Sequence, residues 1–177
     1  MKEIKINSGK FIIRKTLKSD ANELLNYLDL ISKESDYLTF GEGELSRTIE
    51  QEEEFIEIAN NKNNSLFIVA EMGGKIIGNL NFQAGQRKRI AHTGEFGVSV
   101  LKEYWGNGIG KELIKYLIEW SKNSGLIRKI NLRVRTDNTT AIKLYKKLGF
   151  LEEGIIKRDF LIDDKFYDSL SMGLLID

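Results

Sequence analysis

The chain has 177 residues, with 27 Lys and Arg against 26 Asp and Glu and a formal net charge of +1. That length fits one domain, residues 1–177, and the near-zero charge gives no global pull toward nucleic acid or an anionic membrane. Hydrophobic residues at 41% exclude disorder, and the absence of Cys removes disulfides, thiolate metal sites and Cys nucleophiles.

No apolar run approaches the roughly 20 residues of a membrane-spanning helix. Residues Met1 to Ile6 alternate charge with apolar side chains, unlike a secretory signal, so a cytoplasmic setting is expected. Phe11 to Lys15 reads as a strand. Ser19 or Asp20 then caps a helix whose stripe is Ala21, Leu24, Leu25, Leu28 and Ile31. Leu45, Ile49, Phe55, Ile56 and Ala59 predict a second helix, with Thr48 and Gln51 as its capping box and Glu50, Glu52, Glu53 and Glu54 on the wetter side. Ser65 to Glu71 and Lys75 to Phe82 predict a hairpin turned by Gly73-Gly74. In His92 to Leu101, Phe96, Val98 and Val100 alternate with Glu95, Gly97 and Ser99, giving a strand with one polar face.

Ile109, Leu113, Ile114, Leu117, Ile118 and Ser121 form a helical stripe ending near Gly125, and Ile130, Leu132 and Val134 alternate as the next strand. Asn138 to Leu148 is helical and Gly149 terminates it. Phe150 to Ile156 and Lys165 to Ile176 close the chain as strands. The order β-α-α-β-β-β-α-β-α-β-β predicts an α/β (α+β) domain built on a central sheet.

Trp105-Gly106-Asn107-Gly108-Ile109-Gly110-Lys111 follows a strand and opens an amphipathic helix. Such a turn lets several backbone amides converge on an anion, although glycines alone also make a tight turn. A phosphate-binding loop of the ATPase type would need Gly at Trp105 and Ser or Thr at Glu112. A dinucleotide fingerprint needs a third Gly where Lys111 or Leu113 stands. Neither pattern is met.

The glycine spacing resembles that of the GNAT superfamily of acetyl-CoA-dependent N-acetyltransferases. Trp105 stands where that family has Arg or Gln, as in the subgroup similar to ribosomal-protein N-terminal acetyltransferases. Val98-Ser99-Val100 before the loop and Asn138-Thr139-Thr140-Ala141-Ile142-Lys143-Leu144-Tyr145-Lys146-Lys147-Leu148-Gly149-Phe150 after it extend the resemblance, which weakly covers Phe11 to Leu175. It implies a mixed, mostly antiparallel sheet with helices on both faces. It also implies an N-acetyltransferase that moves acetyl from acetyl-CoA directly to an amine, with no metal. Homodimers are common among similar proteins.

The same resemblance implies site residues. Gly106, Asn107, Gly108, Ile109, Gly110 and Lys111 would hold the pyrophosphate, beside Trp105. Val98, Ser99 and Val100 would pair with the pantetheine arm, with an amide near Val100 facing the oxyanion. Asn138 and Ala141 would touch the cofactor, Asn138 serving equally as a helix cap. Tyr145 matches the general acid and also fits the apolar stripe of its helix. Glu95 is the candidate base, against a plain paired carboxylate, because an alkyl amine near pKa 10 must lose a proton before attack. Phe40 and Glu42 fall in the segment that lines the acceptor pocket of similar enzymes, where an acidic solvated loop is the simpler reading. Phe160 and Tyr167 either shape that pocket or fill core. The acceptor class is a small-molecule amine or a peptide N-terminus. Arg87-Lys88-Arg89 reads as a solvated run rather than a nucleic-acid site. An acyl-CoA-binding module without turnover is the alternative function, and an intact Tyr145 argues for turnover.

Overall fold

The computed structural model describes residues 1–6 and 9–177. Eight strands and four helices follow one another as β1 (Lys2–Ile6), β2 (Gly9–Lys15), α1 (Ala21–Glu34), α2 (Ile49–Asn61), β3 (Ser65–Met72), β4 (Lys75–Ala84), β5 (Thr93–Val100), α3 (Ile109–Ser124), β6 (Lys129–Arg135), α4 (Thr139–Lys147), β7 (Leu151–Ile162) and β8 (Lys165–Leu175). They build one sheet in the order β1-β2-β3-β4-β5-β6-β8-β7. Every neighbouring pair is antiparallel except β5 and β6, whose crossover through α3 makes them parallel.

Local chemistry accounts for the boundaries. Thr48 Oγ1 accepts from the Gln51 amide at 3.2 Å while Gln51 Oε1 accepts from the Thr48 amide at 2.9 Å, so the expected capping box starts α2. Gly73 and Gly74 at φ 58° and 82° turn the β3–β4 hairpin, with both central residues left-handed. Gly125 at φ 65° ends α3.

Three expectations need correction. The alternating N-terminus is a strand, β1, which pairs antiparallel with β2; the chain joining them lies outside the described residues. The stripe of α1 buries Tyr27 with Ala21, Leu24 and Ile31, leaving Leu25 and Leu28 only partly covered. Glu52 is buried rather than wet, and one of its carboxylate oxygens accepts from the guanidinium of Arg47, just before α2, at 2.9 Å. In addition, β7 runs on to Ile162, past Ile156. Its pairing with β8 slips on both sides of Ile155, and Arg158 adopts φ 55°, so the period of two that marks a strand is lost there.

Two apolar layers cover the two faces. On one, Leu66, Ile68, Ile77, Leu80, Phe82 and Phe96 meet Ile109, Leu113, Ile114 and Leu117 of α3 and Tyr145 of α4. On the other, Phe67, Val69 and Ile76 meet Leu24, Tyr27 and Ile31 of α1 and Ile56 of α2. Helices therefore flank both faces, but α1 and α2 pack on β3 and β4 and leave the β6–β8–β7 half of that face without a helix.

A gap between two parallel strands as the candidate active site

The parallel pairing of β5 with β6 lasts only from Thr93–Lys129 to Glu95–Asn131, whereas β5 stays paired with β4 as far as Val100. Beyond Glu95 the two strands diverge and β5 has an open edge. The direction of its amides follows from alternation. The Thr93 carbonyl accepts from Gly85 and the Leu101 amide donates to Ile77, so odd positions turn toward β4. Val98 and Val100 consequently turn their backbone toward the gap. Ser99 does not: its amide faces β4, and its hydroxyl lies 2.8 Å from Tyr27 Oη and donates to Asn79 Oδ1 at 2.8 Å. Burial pushes the Tyr27 phenol upward despite the Ser99 bond, so this chain stays neutral.

The glycine loop sits at the wide end of the gap. Gly106 and Gly108 adopt φ 79° and 78°, and a Cβ on either would meet nothing within 4 Å, so backbone conformation rather than crowding demands glycine there. Gly108 precedes α3 without a side-chain cap, leaving the amides of Ile109, Gly110 and Lys111 without helical partners. These donors and the helix dipole favour an anion by roughly 0.3 to 2 kcal/mol. Close packing brings them to β5. A Cβ on Gly78 would lie 3.1 Å from the Ser99 carbonyl and 3.4 Å from Ile109 Cγ2, so Gly78 lets β4, β5 and the start of α3 converge. Sequence reading missed Gly78, although an isolated glycine inside a strand pattern signals close backbone approach.

Side chains within the loop serve it internally. Asn107 Nδ2 donates to the carbonyls of Tyr104 at 3.1 Å and Trp105 at 3.3 Å. Trp105, half exposed, donates from its indole nitrogen to the Val100 carbonyl at 2.6 Å, tying the loop to the end of β5. Asn138 accepts from the Ala141 amide at 3.2 Å and so caps α4.

Tyr145, 9% exposed, packs edge-on against Phe96 and Phe150 with ring centroids 6.1 and 6.0 Å away. Burial alone pushes its phenol up to about 12, and the hydroxyl has no hydrogen-bond partner among the described residues. Glu95 lies on the opposite face of β5, where Arg133 Nε donates to its Oε1 at 3.0 Å. The same guanidinium reaches Asp159 Oδ1 at 3.3 Å, and Asp159 Oδ2 is buried without a partner. Phe40 packs on the α1–α2 core, and Glu42 stands at the surface 3.7 Å from Lys33. Tyr167 lies 3.8 Å from the Arg135 guanidinium, and Phe160 continues the β7–β8 pairing opposite it. No helix is long and apolar enough to cross a membrane, and no group of three or more His, Cys, Asp or Glu is placed to hold a metal, among the described residues.

An eight-stranded mixed sheet, opened beside uncapped helix amides, offers an edge for an extended ligand and a site for an anion at its end. Residues 29–150 match the Acetyltransferase (GNAT) family, and the chain belongs to it. A 106-residue stretch is 34% identical to an L-amino acid N-acetyltransferase of Escherichia coli, covering 60% of this chain and 65% of that relative. A GNAT-family acetyltransferase from Streptococcus pneumoniae superposes with a TM-score of 0.91 at 36% identity, over 94% of this chain and 99% of the other. A phosphinothricin acetyltransferase from Sinorhizobium meliloti, in complex with acetyl-CoA, shares the fold at 18% identity, with a TM-score of 0.81 over 94% and 88%.

Proposed function

We propose that the protein is a single-domain, cytoplasmic N-acetyltransferase that moves acetyl from acetyl-CoA to a primary amine, either a small molecule or a peptide N-terminus, without a covalent enzyme intermediate. The observation that carries this reading is the Val98 backbone and the Val100 amide facing an open gap beside the unpartnered amides of α3. A pantetheine arm presents alternating amide donors and acceptors, so it adds to that edge like a short strand. The pyrophosphate then meets the amides of Gly106 to Lys111, with the Lys111 ammonium nearby.

The two faces of the gap divide the proton work. Glu95, on the polar face, takes a proton from the incoming ammonium, and the neutral nitrogen forms the new C–N bond. The oxyanion meets the Val100 amide. Val100 is held on both sides, by its neighbour Ser99, whose hydroxyl is bound to Tyr27 and Asn79, and by its own carbonyl bound to Trp105, so the donor needs little reorganisation. As the C–S bond breaks, the nitrogen sheds its second proton to solvent, and Tyr145 on the apolar face gives its proton to the thiolate and regains one from solvent.

The test is release of coenzyme A thiol from acetyl-CoA across a panel of primary amines. Amine-dependent release by the unaltered protein, lowered about 100-fold or more by Tyr145→Phe with acetyl-CoA affinity kept, is the expected result. Equal rates in the variant would remove Tyr145 from the mechanism.

A further inference from the structure

The end of α1 crosses the gap, and its anchor on the far side is a residue outside the machinery above. On the β5 side, Tyr27 binds Ser99, and Glu34 Oε2 accepts from the Lys102 amide at 2.7 Å, just past the strand. Two residues later the chain is held on the β6 side, where Arg135 Nη1 donates to the Asp36 carbonyl at 2.9 Å. Two residues of backbone reach at most about 7 Å. With two side chains added, residues 34–37 form a strap over the α1 face of the gap where β5 and β6 have parted.

Arg135 is built as the latch of that strap. Its side chain is 6% exposed. Asp137 takes Nε at 3.0 Å and Nη2 at 2.6 Å, and the third nitrogen takes Asp36. The guanidinium lies 3.8 Å from the Tyr167 ring and 4.9 Å from the Tyr37 ring, so aromatic rings from β8 and from the strap pack against one cation. A lysine keeps the charge but cannot supply this fork. No local pattern around Arg135 announces the contact, since 99 residues separate it from Asp36.

The geometry points to Arg135 as a positioning residue that latches residues 34–37 across the gap and thereby limits the width of the amine that reaches Glu95 from that face. This rests on the acetyl-transfer reading. The polar floor beneath the strap, Asn79, Glu95, Ser99 and Arg133, lies on the same face as the latch, while the glycine loop and Tyr145 lie on the other. Loosening the latch therefore changes acceptor choice and leaves acetyl-CoA affinity in place.

The experiment compares the unaltered protein with Arg135→Lys and with Tyr37→Ala, the second being half exposed and outside the core. Hydrogen exchange of amides 34–38 reads the strap directly and needs no turnover. Steady-state acetylation of n-butylamine and of the wider 1-naphthylmethylamine reads selectivity, and calorimetry reads the acetyl-CoA Kd. Expected are faster exchange across 34–38 in both variants and a shift of about tenfold in the kcat/KM ratio toward the wide amine. The acetyl-CoA Kd is expected to stay within about twofold. Unchanged exchange overturns the latch. Faster exchange with an unchanged ratio overturns its role in selecting acceptors. Absence of amine-dependent thiol release in the unaltered protein counts against the transferase reading instead, and exchange alone then decides the latch.

Discussion

The two faces of the gap are assembled differently. On the α3–α4 face, donors come from one continuous stretch, Gly106 to Lys111, and Tyr145 packs on Phe96 and Phe150 within an apolar layer. On the α1 face, polar groups are joined across the chain: Tyr27 to Ser99 over 72 residues, Lys102 to Glu34 over 68 and Arg135 to Asp36 over 99. Anion binding needs several amides in one place, which a single turn provides. Acceptor recognition needs walls from several elements, which only the fold brings together.

Predictions that sharpen this contrast begin with the largest effect. Replacing Tyr145 by Phe is expected to lower kcat by about 10² to 10⁴ while the acetyl-CoA Kd holds. Because burial raises the Tyr145 phenol to about 12, it stays protonated well beyond an ordinary tyrosine. Unfolded, it would ionise near pH 10, so the native preference for the neutral form is fully present below that pH and is lost as pH rises toward 12. The rate is accordingly expected to show no Tyr145-dependent fall between pH 8 and about 10, measured as the unaltered profile against that of the Phe variant.

Next in size is stability on the apolar face. Leu113 is fully buried on α3, and Leu113→Ala is expected to cost about 2 to 5 kcal/mol by denaturant unfolding. On the polar face, Arg133→Gln is expected to cost about 1 to 2 kcal/mol, since its pair with Glu95 is half exposed while the mostly buried Asp159 loses its partner, and to alter amine-dependent turnover. Equal stability losses in the two variants would erase the distinction between the faces. Gly108→Val forces a branched residue to φ 78° at the start of α3 and is expected to weaken acetyl-CoA by about tenfold, measured by calorimetry.

Legibility in the sequence follows the same division. The capping box at Thr48, the Gly73-Gly74 turn, the α3 stripe and the glycine loop all rest on contacts within a few residues, and periodicity or turn chemistry reveals them. The placement of Val98 and Val100 at an open edge was implied by resemblance, but the divergence of β5 from β6 after Glu95 is visible only in the register. Ser99 shows the limit. Its position in the motif suggests the cofactor side, yet strand alternation turns it to Tyr27 and Asn79. Tyr27, Asp36, Arg133, Arg135 and Asp159 carry no local signature, because each acquires its role from a strand or helix far along the chain. The β7 bulge at Arg158 hides for a different reason, since a positive φ there breaks the alternation that identifies a strand.

The most direct test follows backbone amide resonances of the 20.3 kDa protein while acetyl-CoA is added. The account predicts saturable shifts concentrated at Val98, Val100 and Gly106 to Lys111, with residues 34–37 and Asn79 changing least. Saturation without shifts at Val98 and Val100, or no saturable binding by the folded protein, would contradict the assignment of the β5 edge and the α3 amides as the cofactor site.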